Sequence, residues 1–167
     1  AVARASAVFE SAGDELRDRR LLTQAADAYQ RAAAILGTED RRSHFYLKLA
    51  SVQHAARHFD SAQSTCESAF RAPSRIEDAS VETHLRAIQV DSLWKSGRDF
   101  RAQLSQLAAD VQRTDITPDA CHFGCLVGIR LLMNDKQSPL EQHFRKAIQA
   151  STLRSGPTTV GHLALLT

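Results

Sequence analysis

Residues 13–32 read GDELRDRRLLTQAADAYQRA, and this stretch decides the fold because its pattern returns three more times along the chain. Ala25 and Ala32 stand seven residues apart, two helical turns, with Tyr29 between them. The same columns hold Ala62, Cys66 and Ala69, then Ala102, Gln106 and Ala109, then Leu140, Phe144 and Ala147. Twelve residues before the first column come Gly13, Ala50, Val90 and Gly128, all small or modest in size. Eighteen before it come Ala7, His44, His84 and His122, followed directly by Val8, Phe45, Leu85 and Phe123. No gap is needed inside these windows, which begin 37, 40 and 38 residues apart.

Such a pattern has a mechanical meaning. Small residues at fixed places on two consecutive helices let the helices approach closely, while bulky neighbours fill the spaces left between them. One helical pair cannot bury its apolar face alone, so successive pairs must stack into a solenoid. Punctuation agrees. Thr117-Pro118 and Ser138-Pro139-Leu140-Glu141 read as an N-cap followed by Pro at the first helical position, the second also with the spacing of a capping box. Gly37, Gly97 and Gly156-Pro157 fall between the expected helices. The fold class expected is all-α, an α-α superhelix of antiparallel helix pairs.

Composition supports this. The chain has 167 residues, 43% of them apolar and 24% charged, with only 6% aromatic residues, seven Gly and four Pro. That is too little turn chemistry for an all-β fold. Nowhere do about 18 apolar residues run together, so no membrane span is expected. Net charge is +2, from 21 basic and 19 acidic residues that interleave, which argues against a clustered nucleic-acid surface. Three Cys do not make a disulfide framework, and a reducing, cytoplasmic setting is expected.

These residues resemble the tetratricopeptide repeat family, whose motif sets a small residue at position 8, Ala at 20, an aromatic at 24 and Ala at 27. Gly13, Ala25, Tyr29 and Ala32 match it well, and Ala50, Ala62, Cys66 and Ala69 follow, with Phe59 at the usual aromatic position 17. The third repeat keeps Ala102 and Ala109 but carries Val90 and Gln106. The fourth keeps Gly128, Phe144 and Ala147, with Leu140 in place of Ala. The Pro expected at position 32 is missing throughout, and the period exceeds the usual 34 residues. The resemblance implies one array, with repeats at about 6–39, 43–76, 83–116 and 121–154 and the start of a fifth at 158–167, as a fragment of a longer chain.

In that family the first helix of each pair lines a concave groove through positions 2, 5, 9 and 12. The resemblance therefore implies a groove graded from charged to apolar. Repeat one supplies Glu10, Asp14 and Arg17, and repeat two His44, Leu47 and His54. Repeat three supplies His84, Asp91 and Trp94, and repeat four His122, Ile129 and Leu132. The partner implied is a protein or peptide laid in the groove, with apolar anchors near Trp94, Ile129 and Leu132. Family members that clamp a C-terminal carboxylate use Lys and Asn at groove positions, and here Glu10, Asp14, His44 and Ser51 stand there instead. Two other roles fit the same sequence: a ligand- or partner-sensing segment of a bacterial regulator, and a structural spacer in a large assembly.

Several residues carry two readings. His44, His84, His122 and His162 form a ladder, either of donors toward a partner or of side chains that bind a backbone group near each helix start. Trp94 either faces the groove beside His54 as a binding hot spot or packs between helices. His54 with His58, and Cys121 with Cys125, are spaced for two metal ligands on one helix face, but no second cluster completes either, and no metal or cofactor is expected. No nucleophile elbow, phosphate loop or zincin motif occurs, so catalysis is not expected. Val160, Leu163, Leu165 and Leu166 leave an apolar end, from which weak self-association through 158–167 is expected.

Overall fold

The odd-numbered helices of the protein lie side by side, and the even-numbered ones pack behind and between them. The computed structural model describes residues 2–36, 42–72, 76–133 and 139–155. Among these residues the helices are α1 (Val2–Asp18), α2 (Leu22–Leu36), α3 (Arg42–Ala55), α4 (Phe59–Arg71), α5 (Ala79–Lys95), α6 (Arg101–Asp110), α7 (Pro118–Leu132) and α8 (Pro139–Ser155), with no strand. Each helix packs on the next, and α3 and α7 also flank α5. This is an all-α superhelical arrangement of four helix pairs. The expected fifth repeat, with His162 and the apolar run at 158–167, lies outside the described residues, as do Gly37, Ser138 and Gly156-Pro157. No helix among the described residues is long and apolar enough to cross a membrane.

Within a pair, the helices meet where a small residue faces a large one. A Cβ on Gly13 would lie 2.6 Å from the Tyr29 ring, and one on Gly128 would lie 2.4 Å from the Phe144 ring. Both rings are fully buried. Ala50 shares its buried cluster with Ala62, Cys66 and Ala69 in the second pair. The columns that place small residues opposite bulky ones are thus real contacts in pairs one, two and four.

Pair three departs from the expected register. Ala102, Gln106 and Ala109 are exposed, and the buried face of α6 is Leu104, Leu107, Ala108 and Val111. Three residues join α1 to α2 and α3 to α4, whereas five (residues 96–100) join α5 to α6. Those two extra residues advance the contact column by two, so Leu104, Ala108 and Val111 stand where Ala102, Gln106 and Ala109 were expected. Facing α6, the close approach on α7 is made by Gly124, whose Cβ would lie 2.7 Å from Val111. Phe45 and Leu85 are buried as expected of their column, but Phe123 turns outward and is 37% exposed.

The turns within the first three pairs share one geometry. Arg20, Arg57 and Gly97 have φ of 60°, 64° and 70°. They occupy the same place in their repeats, 37 and 40 residues apart. In each turn the left-handed residue donates its N–H to a carbonyl three residues back: Arg20 to Arg17, Arg57 to His54, Gly97 to Trp94. The following residue donates to a carbonyl five back: Leu21 to Leu16, His58 to Gln53, Arg98 to Leu93. This is the Schellman closure, which satisfies carbonyls left over at a helix end. Later starts are capped by side chains. Asp78 accepts from Ser80 and Val81 N–H at α5, and Thr117 accepts from Ala120 N–H at α7, where Pro118 is the first residue as expected.

Candidate functional site: the face of the odd-numbered helices

The odd-numbered helices are tied to one another by charged side chains on one face. Lys48 of α3 reaches back to α1, donating to Glu10 at 2.7 Å and to Asp14 at 3.0 Å. Asp14 also accepts from the Tyr29 hydroxyl at 2.6 Å. Partial burial pushes the Asp14 carboxyl up, but the hydrogen bonds from Tyr29 and Lys48 outweigh it and hold the group below the usual carboxylate range. Arg17 is exposed and pairs with Asp14 and Asp18.

The second tie centres on Asp91 of α5, which is only 4% exposed. His54 of α3 donates Nε2–H to one of its oxygens at 2.6 Å, and Arg130 of α7 donates to the other. Burial pushes this carboxyl up, and the bonds from His54 and Arg130 bring it below its ordinary value. One buried carboxylate thus joins three repeats. A buried charge of this kind is stable only because both oxygens are taken.

Above this junction lies an aromatic and cationic surface. Trp94, the sole Trp, is 41% exposed, with the Arg130 guanidinium 5.2 Å and the Lys95 ammonium 4.7 Å from its ring centroid. Along α7 and its C-cap, Phe123, Leu126, Arg130 and Met133 follow each other at three- and four-residue steps and form one stripe. Phe123 stacks on His84 at 5.5 Å, Leu126 is half-buried, and Met133 is 65% exposed. Of the five large apolar side chains exposed among the described residues, three (Trp94, Phe123, Met133) belong to this surface.

The expected groove residues separate into three groups. Trp94 is exposed on this face, but the neighbour of its indole is Arg130, while His54 turns to Asp91. Glu10, Asp14, His54 and Asp91 are held in the inter-repeat ties, with Arg17 exposed beside Asp14. Leu47 packs against the second pair's core and Ile129 against the core of the last two pairs. Leu132 is a correction, because it is buried within that core and offers no anchor surface. Leu132 lies on the side of α7 that packs with Leu104, Phe144 and Ala147 in this core, while Arg130 and Met133 are exposed.

The histidine ladder divides as well. His84 donates Nδ1–H to the Ser80 carbonyl at 2.9 Å, one turn back in its own helix, which is the backbone-binding alternative. His44 is exposed, and His122 Nε2 is buried with no hydrogen-bond partner. The three described rungs therefore share no common partner. Cys121 and Cys125 are buried, Cys121 directing its thiol at the Val111 and Ala147 carbonyls. Contact with Cys121 and burial push the Cys125 thiol far up. His58 is exposed at the start of α4, apart from the His54–Asp91 pair. Among the described residues no group of three or more His, Cys, Asp or Glu is placed to hold a metal ion. An open cleft of about 470 Å³ lies between the turns of pairs two and three, lined by Arg57, His58, Phe59 and Arg98 among others.

Sequence reasoning missed Phe123, Leu126, Arg130 and Met133. The signal available was the stripe itself, since their spacing is helical and mixes large apolar groups with a cation. No protein-family model, curated protein or solved structure matches the chain.

Proposed function

We propose that this chain is a tetratricopeptide-like array that works as a protein-interaction module, taking a peptide or helix of another protein on the face of its odd-numbered helices. The observation that carries this reading is that Trp94 of α5, Phe123 of α7 and Met133 at the end of α7 are exposed on neighbouring helices, with Arg130 over the Trp94 ring and Phe123 against His84. An exposed Trp beside Arg and Met has the make-up of a binding hot spot, since each offers a large contact area on a supported frame. Support for the family comes from the small-against-bulky contacts Gly13–Tyr29 and Gly128–Phe144 and from the repeated left-handed turn residue. The reading assigns no catalytic role and no cofactor to the chain. Its charged groups on this face act as ties between repeats.

The test is a saturable binder and its dependence on the surface. Trp94→Ala and Phe123→Ala should each weaken a bound peptide at least tenfold, about 1.4 kcal/mol or more, while leaving the helical content unchanged. A spacer or a sensor that uses another surface gives binders indifferent to both substitutions, or none at all.

A further inference from the structure

The face just described has a charge as well as a shape. Lys95 makes no ion pair among the described residues and lies over Trp94. Arg130 lies over the same ring with its side chain 48% exposed, although one of its nitrogens is bound to Asp91. Asp91 itself is buried and accepts from His54 and Arg130, so it presents no charge to a ligand. The outward-facing group at this point is therefore an indole between two cations. Seven residues away on α7, about 10 Å or two helical turns, Phe123 offers an apolar surface with Leu126 between.

Resting on the reading above, we propose that the occupant is an acidic amphipathic helix. It would set a carboxylate against Arg130 and Lys95 beside Trp94, and an apolar side chain about two turns away over Phe123 and Leu126. The carboxylate would give Lys95 the ion pair it lacks among the described residues and reach the exposed side of Arg130, and the apolar anchor covers side chains that water now touches. A nucleic acid fits less well. It needs a track of cations along several phosphates, and the surface around Trp94 carries two, Lys95 and Arg130, with Asp119 one turn from Phe123, while Lys48 and Arg17 farther along the face are paired with Glu10, Asp14 and Asp18. A lone C-terminal carboxylate would leave the Phe123 end empty.

The experiment uses the whole 167-residue chain against a displayed library of random 16-residue peptides, with oligothymidine as a second probe. The expected result is selected peptides rich in Asp or Glu and in Leu, Phe, Met or Trp, spaced as on one helix face. Their binding should fall at least tenfold with Trp94→Ala and at least fivefold with Lys95→Glu, and should weaken as salt rises. Lys95→Glu is chosen because it touches no structural ion pair, whereas Arg130→Ala would remove the partner of one oxygen of buried Asp91. Peptides that depend on Trp94 but are basic or uncharged would overturn this inference and leave the interaction reading standing. Binding of oligothymidine through Trp94 at comparable strength would overturn it in favour of a nucleic-acid surface. Peptides indifferent to Trp94, or no enrichment at all, would overturn the interaction reading itself.

Discussion

Gly128→Ala tests the packing rule on which the whole array rests. A Cβ at this position would lie 2.4, 2.5 and 2.5 Å from three carbons of the Phe144 ring. Ordinary carbon contacts are about 3.5–4.0 Å, so the ring would have to retreat by about 1 Å. Phe144 is fully buried in the core of the last two pairs, a cluster that also holds Leu104, Val127 and Leu132, so its ring can retreat only by displacing core neighbours. Overpacking of this kind costs about 1–3 kcal/mol, and the large misfit puts it toward the upper end. Replacing Gly by Ala in a helix returns about 1 kcal/mol. The net expectation is a loss of about 1–2 kcal/mol, read from urea unfolding followed by circular dichroism with an unchanged m-value. Phe144→Leu alone should cost roughly 1–2 kcal/mol through lost contact and a cavity. With the ring gone, the added methyl has room, so the double variant should be no less stable than Phe144→Leu alone. The coupling energy should then be about 1–3 kcal/mol. Additive behaviour, or a Gly128→Ala protein as stable as the parent, would refute the claim that these helices are seated by a glycine under an aromatic ring.

Three further outcomes follow from the turns, the corrected register and the buried carboxylate. Arg57→Gly should stabilise by about 0.5–1 kcal/mol because Arg57 is held at φ 64°, while Gly97→Ala should cost about 1 kcal/mol through backbone strain alone, nothing lying within 4 Å of its added Cβ. Thermal unfolding of both proteins checks the pair, and equal and neutral results would remove the shared turn. Ala69→Leu should cost about 1–3 kcal/mol at a position 3% exposed, and Ala109→Leu, on the exposed side of α6, should stay within about 0.5 kcal/mol. Asp91 has its folded value below the unfolded one, so its contribution is present at neutral pH and is lost as pH falls from the usual carboxylate range through that lowered value. Asp91→Asn should therefore flatten the acid limb of the stability profile, and an unchanged acid limb in unfolding measured from neutral pH down to about pH 3 would show that the carboxylate is not held this way.

The sequence made most of the architecture legible because repetition averages over local ambiguity. Gly13 with Tyr29 and Gly128 with Phe144 stand out once the windows are aligned, and both become real contacts. Pair three failed for a definable reason. Alignment without gaps cannot see two extra residues in a turn, and Ala102 and Ala109 fit the motif while Leu104, Ala108 and Val111 do the packing. Trp94 on α5 is exposed, but beside Arg130 rather than beside His54 as expected. Phe123 and Arg130 on α7, and Met133 at its C-cap, are exposed one residue on from the expected His122, Ile129 and Leu132. The ties Lys48–Glu10 and His54–Asp91–Arg130 were invisible for another reason, since pairing across helices depends on side-chain reach, which spacing does not encode. Arg20 and Arg57 hid the turn that Gly97 advertised, because a left-handed Arg has no mark in sequence.

Trp94 and Met133 are the only Trp and the only Met in the chain, so each gives a single nuclear magnetic resonance signal, the indole N–H of one and the ε-methyl of the other. Both lie on the proposed partner surface, on different helices. Titration of the protein with a selected peptide should shift both signals together along one saturation curve, with one dissociation constant. A peptide that saturates the protein while leaving the two signals where they were would contradict the central claim that partners dock across α5 and α7.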